Sequence, residues 1–151
     1  MPDVHDPATR SRNMAAVKDA DTRPELLIRS ALHRAGFRYR LHAPDLPGRP
    51  DLVLRQHKAV IFVHGCFWHR HDCQLFRLPG VRREFWGNKL AANAERDLRV
   101  RRELRSRGWR IGVVWECSIR GSGRSPVDDI AHSLARWLRT GRGDLTVRGR
   151  L

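Results

Sequence analysis

Long apolar runs are missing from this chain. No stretch approaches the roughly 18 residues that a membrane-spanning helix needs, and the amino terminus has no apolar segment of the secretory kind. A cytoplasmic protein with no membrane partner is expected. Cysteine is scarce, with three residues, and an odd number in an intracellular chain argues against a disulfide framework and fits a metal site better. Acidic residues are also few: 16 Asp and Glu against 30 Lys and Arg leave a formal net charge of +14. The surplus is almost all arginine, whose planar fork suits phosphate oxygens and base edges, so a nucleic acid is the expected partner. The bland alternative is a basic surface serving solubility alone, which costs self-repulsion in the compact state. Internal repeats and low-complexity blocks are absent, and 151 residues suffice for one core but not for two. We therefore expect a monomeric protein with one globular domain over residues 21–140 and a loose basic tail over 141–151.

Local patterns give the elements. Thr22-Arg-Pro-Glu25 is a capping box with proline in the first turn, and Leu26, Leu27, Ala31, Leu32 and Ala35 form an apolar stripe ending at Gly36, which predicts a helix. Residues 37–41 alternate as a short strand, and 44–50 form a proline- and glycine-rich turn. The apolar runs 51–55 and 58–63 flank Gln56-His57, as in an antiparallel hairpin with a tight loop. Pairing Arg55 with Lys58 sets Asp51 opposite Phe62, and the two-residue period puts His64 on the face of Phe62, so Asp51 and His64 are expected to converge; a slip of one residue would separate them. Residues 84–107 read as a long arginine-rich helix closed by Gly108, and 109–116 as a buried strand. Strand, helix, strand predicts two parallel strands ending at one sheet edge, which would bring Cys66 and Cys117 together. Residues 125–139 read as an amphipathic helix with Ile130, Leu134, Trp137 and Leu138 inward.

The densest chemistry lies in residues 64–73, His-Gly-Cys-Phe-Trp-His-Arg-His-Asp-Cys, a mixture that no hydrophobic core requires. Cys66, His71, Cys73 and the topologically delivered Cys117 would make a tetrahedral zinc set, and a set with no open position is structural. Three unrelated buried cysteines are the alternative. Asp51, at the mouth of its strand, is a cap when taken alone; beside His64 and His69 it becomes a candidate magnesium ligand, with an imidazole left free to activate water. Asp97 falls inside the apolar stripe of the long helix, at the angle of Leu90, Ala94 and Leu104, and needs a partner there. A histidine whose tautomer it fixes and an arginine ion pair are both open. Phe67-Trp68 and Glu84-Phe-Trp86 put large aromatics beside charge, as base-stacking residues sit, whereas Trp109, Trp115 and Trp137 belong to core stripes.

Assembled, these residues resemble those of the very-short-patch-repair endonucleases, bacterial enzymes that nick DNA beside a thymine-guanine mismatch left by deamination of 5-methylcytosine. The resemblance covers roughly residues 3–120. It rests on Asp3-Val-His-Asp6, Thr9-Arg-Ser11, Asn13-Met14, Leu46-Pro-Gly-Arg-Pro-Asp51, Val60-Ile-Phe62, His64-Gly-Cys-Phe-Trp-His69, Glu84-Phe-Trp86, Glu95-Arg-Asp97, Gly108-Trp-Arg110 and Val114-Trp-Glu-Cys117. It implies an α/β restriction-endonuclease-like fold, a mixed central sheet flanked by helices, with Phe62 and His64 at the usual acidic and lysine positions. It implies that Asp51 binds magnesium together with the backbone carbonyl of Val63. His69 would be the general base, oriented by Asp97, while His64 and Glu25 would hold metal-bound waters or phosphate oxygens. Cys66, His71, Cys73 and Cys117 would hold structural zinc. Phe67, Trp68 and Trp86 would wedge into the duplex, with Met14 of a DNA-contacting segment over residues 1–20 entering from the other groove. Valine at 63 and arginine at 70 depart from the family pattern. A mismatch-repair loader and a repair DNA polymerase are the implied partners besides mismatched DNA.

The expectation is thus a magnesium-dependent, strand-specific endonuclease cutting 5′ to the mispaired thymine. A zinc-stapled DNA-binding module without catalysis, and a zinc hydrolase using His69 and His71 as ligands, are the alternatives.

Overall fold

The computed structural model describes residues 22–73 and 75–150. The segment 1–20, with Met14, lies outside the described residues. Helix α1, Arg23–Arg34, begins where predicted: the Thr22 side chain accepts the Glu25 backbone N–H at 3.4 Å, and Ile28, Ala31 and Leu32 turn inward. The strand expected over 37–41 is shorter, β1 being Arg40–Leu41. The Phe37 N–H instead closes the helix end by donating to the Leu32 carbonyl at 3.0 Å, and its ring is buried in the core.

The hairpin joins β2, Leu52–Leu54, to β3, Ala59–His64. Its pairs Leu52↔Ile61, Val53↔Val60 and Leu54↔Ala59 run in the register that sets Asp51 opposite Phe62. The loop differs from the tight two-residue form: Arg55–His57 make a 3-10 turn and Lys58 takes a left-handed conformation with φ 51°. Helix α2, Arg83–Ser106, leads to β4, Arg110–Trp115, which pairs in parallel with β3 from Ala59↔Arg110 to His64↔Trp115. Both strands therefore release their next residues at the same edge, toward Cys66 and Cys117. Helix α3, Val127–Thr140, is followed by β5, Leu145–Val147, parallel to β4. The segment read as a loose basic tail is thus partly an edge strand. Sequence pattern missed it because three residues of mixed burial carry too little periodicity.

The sheet order is β1-β2-β3-β4-β5, with the first two pairings antiparallel and the last two parallel. One face packs Leu52, Leu54, Ala59 and Ile61 against Ile28 and Leu32 of α1 and Ile130, Leu134, Trp137 and Leu138 of α3. The other packs Val53, Val60, Phe62, Ile111, Val113 and Trp115 against Leu104 of α2. Alternation along β3 sends Ile61 to one core and Val60 and Phe62 to the other, so a strand covered on both faces reads as one unbroken apolar run. Among the described residues no helix is long and apolar enough to cross a membrane.

Candidate active site and metal clusters

Beyond the carboxyl end of β3 the chain coils into a hook. His69, Arg70 and His71 donate their backbone N–H groups to the carbonyls of Gly65, Phe67 and Cys66. Glu116 Oε1 accepts the Cys66 N–H at 3.2 Å, and Asn93 of α2 donates to the Trp68 carbonyl at 3.1 Å. The hook is therefore tied both to the neighbouring strand end and to the crossover helix. Its inner side carries Cys66, His71 and Cys73, and with Cys117 their ligand atoms all lie within 4.8 Å of one another. His71 Nδ1 is 3.5 Å from both Cys66 Sγ and Cys117 Sγ, and its ring stacks on Trp115 at 3.9 Å. Burial, with the Cys73 and Cys117 thiols beside it, pushes the Cys66 thiol far above its usual range. Burial also lowers His71. Three crowded thiols and a neutral imidazole are a soft-donor set that a divalent cation would relieve.

One residue behind this cluster was not foreseen. Gly149, past β5, donates its N–H to Cys117 Sγ at 3.2 Å, and a Cβ there would lie 2.3 Å from the Cys117 carbonyl oxygen. Only glycine lets the C-terminal backbone approach the thiol so closely. Arg148 adds a bond to the Asp72 carbonyl at 2.6 Å.

The second cluster is His64, His69 and Asp97. His69 Nδ1 lies 2.6 Å from Asp97 Oδ2. A carboxylate has no proton to give, so the ring nitrogen donates and Nε2 keeps its lone pair. Of the two partners left open for Asp97, the structure has the histidine. His64 stacks on His69 with ring centroids 3.7 Å apart. Burial, then the charges of His69, Arg101 and His71, holds His64 well below the ordinary imidazole range, which keeps it neutral. Arg101 stands one helical turn beyond Asp97, and its buried Nε has no hydrogen-bond partner among the described residues.

Asp51 belongs to a third cluster, with Glu25 and His42. The expected convergence of Asp51 with His64 is replaced by adjacency. Asp51 Oδ2 accepts the Val63 N–H at 2.7 Å, one residue before His64, while the imidazole turns to His69. Glu25 is 1 % exposed and accepts from Arg29 at 3.2 Å and from His42 Nε2 at 2.8 Å. Burial, opposed by the Val63 N–H and reinforced by Glu25, pushes Asp51 up to about 7. A half-buried Asp51 carboxyl pushed up beside the buried Glu25 carboxyl suits a hard cation.

His42 was missed by sequence reasoning. The β1–β2 pairs Arg40↔Val53 and Leu41↔Leu52 continue to His42 and Asp51, whose backbones bond at 3.2 Å. That register would have found it, but the loop 44–50 hides the pairing. Its Gly48, at φ 74°, presses against Val100 of α2, where a Cβ would meet a methyl at 2.5 Å.

Phe67, Trp68 and Trp86 form one half-buried aromatic group. Phe67 lies 5.1 Å from Trp68 and 5.7 Å from Trp86, and Trp68 lies 6.0 Å from Trp86. Phe76 and the exposed Phe85 extend it at either end.

These features define the class: an α/β protein whose sheet gathers thiols, imidazoles and carboxylates at one edge, next to a ridge of aromatic rings. A family profile described as DNA mismatch endonuclease Vsr matches residues 2–75. The chain is 45% identical over 138 residues to DNA mismatch endonuclease Vsr of Escherichia coli (strain K12), covering 91% of this chain and 88% of that protein. It is 46% identical over 119 residues to the type II nicking enzyme V.XorIIP of Xanthomonas oryzae pv. oryzae, covering 79% and 88%. With V.NaeI of Lentzea aerocolonigenes the identity is 37% over 145 residues, covering 91% and 85%. The chain belongs to the Vsr family of DNA mismatch endonucleases, and this membership implies a restriction-endonuclease-like fold.

Proposed function

We propose that this protein is a magnesium-dependent endodeoxyribonuclease that nicks duplex DNA on the 5′ side of the thymine in a thymine-guanine mismatch, the lesion left by deamination of 5-methylcytosine. The observation that carries the reading is the 2.6 Å contact from His69 to Asp97, which leaves His69 Nε2 free as a base at the mouth of the sheet. Family membership supplies the substrate class.

The donor chemistry fits both expected metals. Asp51, with the backbone carbonyl of Val63, would hold magnesium, which when bound supplies positive charge against the phosphoryl oxygens. Glu25 and His42 complete the carboxylate-rich surround. Cys66, His71, Cys73 and Cys117 would hold zinc in a closed, structural set.

His69 Nε2 takes the proton of the attacking water, while Asp97 fixes the tautomer and balances the imidazolium that forms. Neutral His64, stacked on His69, offers a hydrogen bond to a water or phosphate oxygen without adding like charge. Phe67, Trp68 and Trp86 wedge into the stack, where opening costs a few kcal/mol per step and least where pairing is already poor. Met14 of the DNA-contacting segment 1–20 enters from the opposite groove. A zinc hydrolase using His69 and His71 as joint ligands finds no support, because the two rings fall in separate clusters.

The protein would work as a cytoplasmic, nucleoid-associated monomer, with a mismatch-repair loader and a repair DNA polymerase as downstream partners. The test uses purified protein with magnesium on two duplexes, one holding a single thymine-guanine pair and one fully paired. A nick only in the first, ending in 3′-hydroxyl and 5′-phosphate, is expected. Binding without a nick on every flanking sequence tried would leave a zinc-stapled DNA-binding module.

A further inference from the structure

Beside the aromatic ridge lies a cavity of about 320 Å³, lined by Arg70, Phe76, Arg77, Leu78, Arg83, Gly87 and Leu90. Three separate stretches supply its arginines: the hook, the loop after it and the first turn of α2. Among the described residues no acidic side chain lines it. All three arginines are exposed, while Leu90 is fully buried and makes an apolar floor. The cavity is continuous with the ridge, since Phe76 stacks on Phe67 at 6.3 Å and Gly87 follows Trp86.

Three guanidinium groups around one hollow repel one another unless an anion is drawn between them, and each offers a planar fork that matches phosphate oxygens. The apolar floor fits the carbon face of a sugar. We propose that this cavity seats a backbone phosphate, with its deoxyribose, of the DNA strand flanking the aromatic wedge. Rings pushed between base pairs lengthen the strand beside them, and a clamp on the adjoining phosphate would hold the opened step against reclosing. The inference rests on the proposed DNA substrate and adds a site to it.

The experiment scans a thymine-guanine duplex with neutral methylphosphonates, one phosphate at a time, and measures the affinity of the wild-type protein and of the triple variant Arg70→Gln, Arg77→Gln, Arg83→Gln. One flanking position is expected to weaken wild-type binding and to have no further effect on the variant. The variant's plot of log affinity against log salt should be shallower by ~0.9, the value for one lost phosphate contact. Arg136→Gln, an exposed arginine of α3 on the other face of the sheet, should leave both readings at the wild-type value. If every methylphosphonate penalty persists in the triple variant, or the salt slope does not change, the clamp is excluded. Because these readings are affinities, they separate from the proposed function, which fails when wild-type protein binds but does not nick.

Discussion

Asp97 lies on the inward side of α2, seven residues from both Leu90 and Leu104, and a carboxylate at that angle is stable there because His69 meets it at 2.6 Å. Asp97→Asn keeps the shape but lets the ring choose its other tautomer. Single-turnover nicking is expected to fall ~100-fold or more with mismatch binding retained. His69→Ala should behave alike, and wild-type rates in either variant would overturn the base assignment. Arg101 makes a contrasting case. Its buried Nε has no partner among the described residues, so Arg101→Met should raise thermal stability by removing an unsatisfied donor that costs about 1–3 kcal/mol. A lower melting temperature would show that the guanidinium is satisfied in solution. The chemistry of residues 64–73 was legible at this scale because side-chain type alone carries it. His42 was not, because an isolated histidine in a turn becomes informative only once Glu25 and Asp51 are seen around it.

Among the elements, the hairpin register and the parallel β3–β4 pair followed from pattern, since a strand buried on both faces must be unbroken and apolar and a helical crossover makes its two strands parallel. The C-terminal strand did not follow. β5 covers the open edge of β4, and Gly149 continues from it to donate to Cys117 Sγ. Gly149→Ala would force a methyl against the Cys117 carbonyl. Such overpacking costs about 1–3 kcal/mol, a drop of roughly 3–10 °C in melting temperature for a chain of this size. The zinc proposed for the thiol set should also be lost more readily from this variant, read by metal content after dialysis against a chelator. Unchanged melting and metal retention would mean that the C-terminal segment does not brace the thiols.

At the scale of the whole molecule the hook joins the two clusters, since it carries the thiols of Cys66 and Cys73 together with His69 and the Phe67 ring of the aromatic ridge. Stripping metal from the thiol set is therefore expected to abolish nicking even with magnesium present, and re-addition of zinc should restore it. Full activity after verified zinc removal would separate the two sites. At this scale the charge of +14 was readable from composition, and so was the expectation of a nucleic-acid partner. By itself the sequence determined the donor types, the strands that carry them and the family, because these depend on residue identity and short-range period. Only the tertiary structure decided how the donors are sorted. Asp51 went to Glu25 and His42, His64 to His69 and Asp97, and Cys117 to a hook fifty residues away. That sorting depends on loop paths and helix placement across the sheet, which pair residues through space and leave no periodic trace in the chain.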